Sequence, residues 1–116
     1  MKVNRRDLDT AVVLDLKGQL TGGPDAEKFR DLFKALVDEG NKNIVLNLKD
    51  VDWISSTGIG IMIRGYKTVR EADGQFVLVR VGERTQQIFN VLRLYDIFKI
   101  METEEQALEY IANPAT

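Results

Sequence analysis

The sequence contains no cysteine and no histidine. The first absence excludes disulfides, thiol nucleophiles and cysteine zinc ligands, and the second excludes imidazole acid–base chemistry and Ser-His-Asp triads. Turnover would then rest on carboxylates, lysine or a bound cofactor. No pair of acids is placed on facing strand ends, no cofactor fingerprint is present, and Gly22-Gly23 lacks the lysine and spacing of a phosphate-binding loop. No stretch approaches the roughly 20 apolar residues that span a bilayer. The amino terminus, Met1-Lys2-Val3-Asn4-Arg5-Arg6-Asp7, is charged and is followed by no apolar run of signal length. Nor is there an excess of basic residues: 16 Lys and Arg stand against 18 Asp and Glu, a net charge of −2, so no nucleic-acid-binding patch is expected. These absences predict a bacterial-type cytoplasmic protein with no catalysis, no cofactor, no metal site, no nucleic-acid partner and no direct membrane insertion; a monomer or weak dimer is expected.

What is present suits one folded domain spanning 1–116, because hydrophobic residues make up 44% and charged residues 29% of the chain. The first residues, to about Asp9, read as a short edge strand or a frayed end. From Ala11 to Leu20 the pattern alternates, with Val12, Leu14 and Leu16 on one side and Val13, Asp15 and Lys17 on the other, which predicts a half-buried strand. Pro24 suits the first position of a helix, Asp25 and Glu27 favour its positive end, and Phe29, Leu32, Phe33, Leu36 and Val37 follow at helical spacing up to Gly40. Ile44-Val45-Leu46-Asn47-Leu48 is a nearly unbroken apolar run, the mark of a strand covered on both faces. Leu46 and Phe33 are therefore core candidates.

A second helix follows Ser55-Ser56-Thr57-Gly58, with Ile59, Met62, Ile63, Tyr66 and Val69 on its inner face, and ends near Gly74. Gln75–Val81 reads as a strand. Glu83 to about Leu94 reads as a helix whose inner face carries Ile88, Val91, Leu92 and Tyr95. Phe98–Met101 is a short strand, and Thr103 with Gln106 forms a capping box before a last helix that buries Ala107, Leu108 and Ile111. The alternation predicts an α/β fold with a mostly parallel sheet of about four to five strands and about four helices.

In open α/β sheets, sites gather at the carboxyl ends of strands. Two connections fall there, Gly18–Pro24 and Ile54–Gly60. In the second, Ser55 and Ser56 both stand where a helix N-cap is needed. Gly58 and Gly60 cost the helix about 1 kcal/mol each against alanine, which points either to close packing or to a partner approaching the bare backbone. A hydroxyl here also suits phosphorylation, because a helix start tolerates the added charge. Trp53 reads as a partly buried anchor below this loop. Ile61 lies off the predicted inner face and reads as a candidate partner contact. Arg64, Lys67 and Arg70 form a solvated face that can complement an acidic partner.

The Val45-Leu46-Asn47-Leu48 strand, the Trp53-Ile54-Ser55-Ser56-Thr57-Gly58-Ile59-Gly60 turn, Gly18-Gln19-Leu20 and the late Phe98-Lys99-Ile100 segment together resemble the STAS domain family, and in particular its anti-sigma factor antagonists. The resemblance covers nearly the whole chain. It implies a switch protein that binds, unphosphorylated, an anti-sigma factor that is also a serine kinase. That kinase phosphorylates a serine at the start of the second helix, and a cognate phosphatase reverses the step. Laid on the family pattern Asp-Ser-(Ser/Thr)-Gly-Leu-Gly, the acceptor is Ser56, with Ser55 as second choice. Thr21, Trp53, Ser55, Thr57, Gly58, Ile59 and Ile61 are the candidate partner contacts. Two departures stand out: Ser55 replaces the acidic residue before the modified serine, and Thr21 replaces an acidic residue common in the earlier loop, while Asp52 lies four residues upstream of Ser56. The alternative function is a non-phosphorylated STAS subunit of a stress-signalling scaffold or of a membrane transporter complex.

Overall fold

A computed structural model describes residues 1–113; residues 114–116 of the expected domain lie outside the described residues. Five strands form one sheet in the order β1 (Lys2–Asp7), β2 (Val12–Leu20), β3 (Asn43–Ile54), β4 (Gln75–Val79) and β5 (Lys99–Met101). Only the β1–β2 pair is antiparallel. Four helices alternate with the later strands: α1 (Pro24–Asp38), α2 (Ser56–Glu71), α3 (Glu83–Val91) and α4 (Glu104–Ala112). The alternating α/β order expected from the periodicities is the observed one, with β1 as a paired edge strand rather than a frayed end.

Register explains how the apolar runs divide. Val12, Ile44 and Phe76 are paired across β2, β3 and β4, as are Leu14, Leu46 and Leu78, and these side chains meet α1, α2 and α3 in the main core. Val13, Val45 and Val77 form the intervening row and pack under Ala107 and Ile111 of α4 on the opposite face. β2 is therefore covered on both sides through Leu14, with Val13 fully buried, rather than half-buried as its alternation predicts. The covering element, α4, arrives from the far end of the chain. Leu46 and Phe33 are both buried, as expected.

Where the second face becomes polar, Asp15 of β2 receives a two-pronged bond from Arg6 of β1, at 2.7 and 3.0 Å, and a further one from Asn47 of β3 at 2.9 Å. Arg6 also pairs with Glu104 at the start of α4. This network ties the first strand to the last helix. It holds the Asp15 carboxyl below the ordinary carboxylate range, chiefly through the Arg6 hydrogen bonds. The capping box of α4 is formed, with the Gln106 amide donating to Thr103 Oγ1 at 3.1 Å and the Thr103 amide donating to Gln106 Oε1 at 3.3 Å.

α3 departs most from expectation. Its fully buried residues are Thr85 and Phe89; Ile88 is half-buried against the core as expected, but Val91, Leu92 and Tyr95 are not on the inner face. The helix stops at Val91, Arg93 takes a left-handed backbone (φ 58°), and a 3-10 turn over Leu94–Asp96 changes the phase so that Leu94 and Phe98 turn inward. Phe89 and Phe98 join a chain of aromatic rings with Tyr66, Phe76, Phe33 and Phe29, each contact 5.8–6.0 Å between ring centres. With those inner positions filled, Val91, Leu92 and Tyr95 are left on the surface.

Among the described residues, no helix is long and apolar enough to cross a membrane.

Candidate functional site

β3 pairs with β4 only as far as Asn47 but with β2 as far as Ile54, so the end of β3 and the start of α2 project together at one corner of the sheet. There the chain passes from strand to helix at Ser55. The Ser55 amide donates to the Leu20 carbonyl at 3.0 Å, and its hydroxyl accepts from the Gly58 amide at 3.1 Å. Ser55 is thus the N-cap of α2, satisfying one of the orphan amides of the first turn. The two serines, either of which suits the N-cap by sequence, are separated by this geometry. Ser56 is the first helical residue, is exposed, and its hydroxyl has no hydrogen-bond partner among the described residues.

The glycine at 58 is required. A Cβ placed there would stand 2.1 Å from the Leu20 carbonyl oxygen, so the helix start can press on the end of β2 only without a side chain. The β2–α1 loop is held from the other direction. Gly22 has φ 111°, and a Cβ on it would stand 2.8 Å from the Thr57 methyl. The loop carrying Thr21 and the turn carrying Ser56 therefore form one joined surface. Gly60, by contrast, has open space where a Cβ would go.

The candidate partner contacts divide accordingly. Thr21, Trp53, Ser56 and Thr57 are exposed, and Ser55 is half-buried at its cap. Gly58 and Ile59 are buried and shape the first turn from within. Ile61, expected off the inner face, is 5% exposed. α2 is covered by the sheet on one side and by α1 on another; Gly65 brings the Phe33 ring so close that a Cβ would stand 2.5 Å from it, and Ile61 is enclosed in the same contact. Ile61 is therefore a packing residue. Trp53 is not an anchor beneath the loop. It is 40% exposed, with the Arg84 guanidinium 5.8 Å from its ring centre. Asp52 is exposed on the β3 end that leads into the turn. The sequence reading missed Arg84, Ile88, Val91 and Leu92 as neighbours of Trp53; together with Gln87 they line one shallow hollow. The available signal was the apolar stripe itself, which was assigned to the core.

No cluster of His, Cys, Asp or Glu able to hold a metal ion occurs among the described residues. The corner offers a free hydroxyl on a helix start, beside the loop that carries Thr21. Such an arrangement can accept a phosphoryl group or present a contact face.

A profile of the STAS domain family matches residues 2–107, and the chain belongs to that family. Its relatives are named as anti-sigma factor antagonists. BtrV of Bordetella bronchiseptica is 27% identical over 107 residues, 92% of this chain and 91% of that protein. A Thermotoga neapolitana antagonist is 32% identical over 80 residues, 69% of this chain and 71% of that protein. The crystal structure of a Thermotoga maritima antagonist superposes with a TM-score of 0.87 at 26% identity, covering 96% of this chain and 95% of that one.

Proposed function

We propose that this chain is an anti-sigma factor antagonist that works by partner switching, with Ser56 as its phosphoacceptor. Unphosphorylated, it binds an anti-sigma factor with serine kinase activity. Phosphorylation of Ser56 ends that complex, and a phosphatase restores it. The chain itself contributes no catalysis. The observation that carries this reading is the division of labour at the turn: Ser55 is engaged in capping, while Ser56 offers an exposed and unengaged hydroxyl at the start of α2.

The energetics favour a switch that leaves the fold intact. A phosphate brings about −1.5 to −2 charges. At an exposed helix N-terminus that charge is stabilised by about 0.3–1 kcal/mol. In a closed partner contact, an unpaired charge costs several kcal/mol. Binding falls while folding holds. Titrating the cognate anti-sigma factor against wild type, Ser56→Ala and Ser56→Asp tests this: Ser56→Ala should bind like wild type and Ser56→Asp at least tenfold more weakly, with both folded. Equal binding by all three would refute the switch.

The second reading, a STAS subunit that is never phosphorylated, is favoured by Ser55 and Thr21 standing where the family pattern has acidic residues. It predicts no phosphate on the chain after treatment with the cognate kinase.

A further inference from the structure

The stripe of α3 that has core spacing in the sequence faces outward. Val91 is 81% exposed and Leu92 51% exposed, and they border the half-buried Ile88 and the exposed Trp53 in a shallow, almost wholly apolar hollow. Isolated apolar residues on a surface are ordinary, but a contiguous patch edged by polar groups marks an interaction site. The lining of this hollow includes Trp53 and Arg84, residue types that often dominate such contacts.

The charged side chain in its lining is basic, Arg84, and neither Arg84 nor Arg93 has an ion-pair partner among the described residues. Arg84 lies over Trp53, and Arg93 follows Leu92 directly in the chain.

We propose that this hollow docks an acidic amphipathic helix of a partner protein. Ile88, Val91 and Leu92 lie at i, i+3 and i+4, forming a ridge against which a second helix packs its own apolar row. Arg84 and Arg93 then meet carboxylates on the flanks of that helix. Nucleic acid is a poorer fit, because aliphatic side chains dominate and the one large ring is already covered by Arg84. A second copy is also a poorer fit, because a two-fold contact sets the patch against itself and brings like-charged arginines together. Trp53 closely precedes Ser56, so one partner can cover both the hollow and the switch serine; that continuity rests on the proposed switch, whereas the hollow does not.

The test uses two synthetic helical peptides with the same apolar face, one flanked by glutamates and one by lysines, titrated into the full chain and followed by NMR. The glutamate peptide should shift the Trp53 indole N–H and the Val91 and Leu92 methyls saturably, and the lysine peptide should bind at least tenfold more weakly. Arg84→Glu should remove or reverse that preference, and Val91→Ser should weaken both peptides, with unfolding midpoints unchanged. Equal affinity for the two peptides, shifts confined to another surface, or no shifts at all would overturn the proposal. So would the same resonances moving on protein dilution alone, which would mean that a second copy is the occupant. No kinase or phosphate enters the experiment, so its failure is separate from failure of the switch.

Discussion

Gly58 and Gly60 both go against helical preference in the first turns of α2, and the structure accounts for only one of them. Gly58→Ala forces a methyl onto the Leu20 carbonyl, a backbone atom that cannot swing aside, so it should cost about 1–3 kcal/mol as an overpacked contact does. Gly60→Ala meets open space and should stabilise the chain by about 0.5–1 kcal/mol. Urea unfolding of the two variants measures both, and a destabilised Gly60→Ala would contradict the open geometry at that position. Ser55→Ala should lose about 1 kcal/mol by the same measurement, because it removes the helix cap. At this scale the sequence located the turn but left Ser55 and Ser56 as rivals. Either serine can cap a helix; which one does depends on where β3 releases the chain, and that is fixed by the Ser55–Leu20 backbone bond across to β2.

Among the elements, α3 separates what periodicity can and cannot determine. Ile88, Val91, Leu92 and Tyr95 have the spacing of a buried stripe, and the true inner face is disguised because one of its two buried residues is a threonine, Thr85. The phase was settled by the left-handed Arg93 and by Phe98 competing for the interior beside Phe89. Phe89→Ala should therefore cost about 3–5 kcal/mol, while Val91→Ser should change stability by no more than about 0.5 kcal/mol. Thermal unfolding of the pair decides between the two faces, and a large loss for Val91→Ser would restore the sequence-based phase. The order of strands and helices was legible because each has its own strong period. The double coverage of β2 was not, because the helix that buries Val13 lies at the other end of the chain.

At the scale of the whole molecule, the Arg6–Asp15–Glu104 network joins the two ends of the described fold. The Asp15 carboxyl is depressed in the folded state, chiefly by Arg6. Its stabilising contribution is therefore complete above the unfolded carboxylate value of about 3.9 and is lost as the pH falls through the lower folded value. Asp15→Asn should be less stable than wild type at neutral pH, with the gap closing below about pH 4; a gap independent of pH would show that the charge is not the cause. The members of this network, Arg6, Asp15, Asn47 and Glu104, lie apart in the chain from the turn that carries Ser56. The family could be read from the sequence because the turn and the order of elements together carry the resemblance. The outward hollow beside Trp53 could not, because it arises only when α3 is turned against the sheet.

The most direct test of the account is phosphosite mapping by mass spectrometry on wild type, Ser55→Ala and Ser56→Ala after incubation with the cognate anti-sigma kinase and ATP. One phosphate on wild type and on Ser55→Ala, located at Ser56, and none on Ser56→Ala is the predicted result. Phosphate on Ser55, or on neither serine, would contradict it.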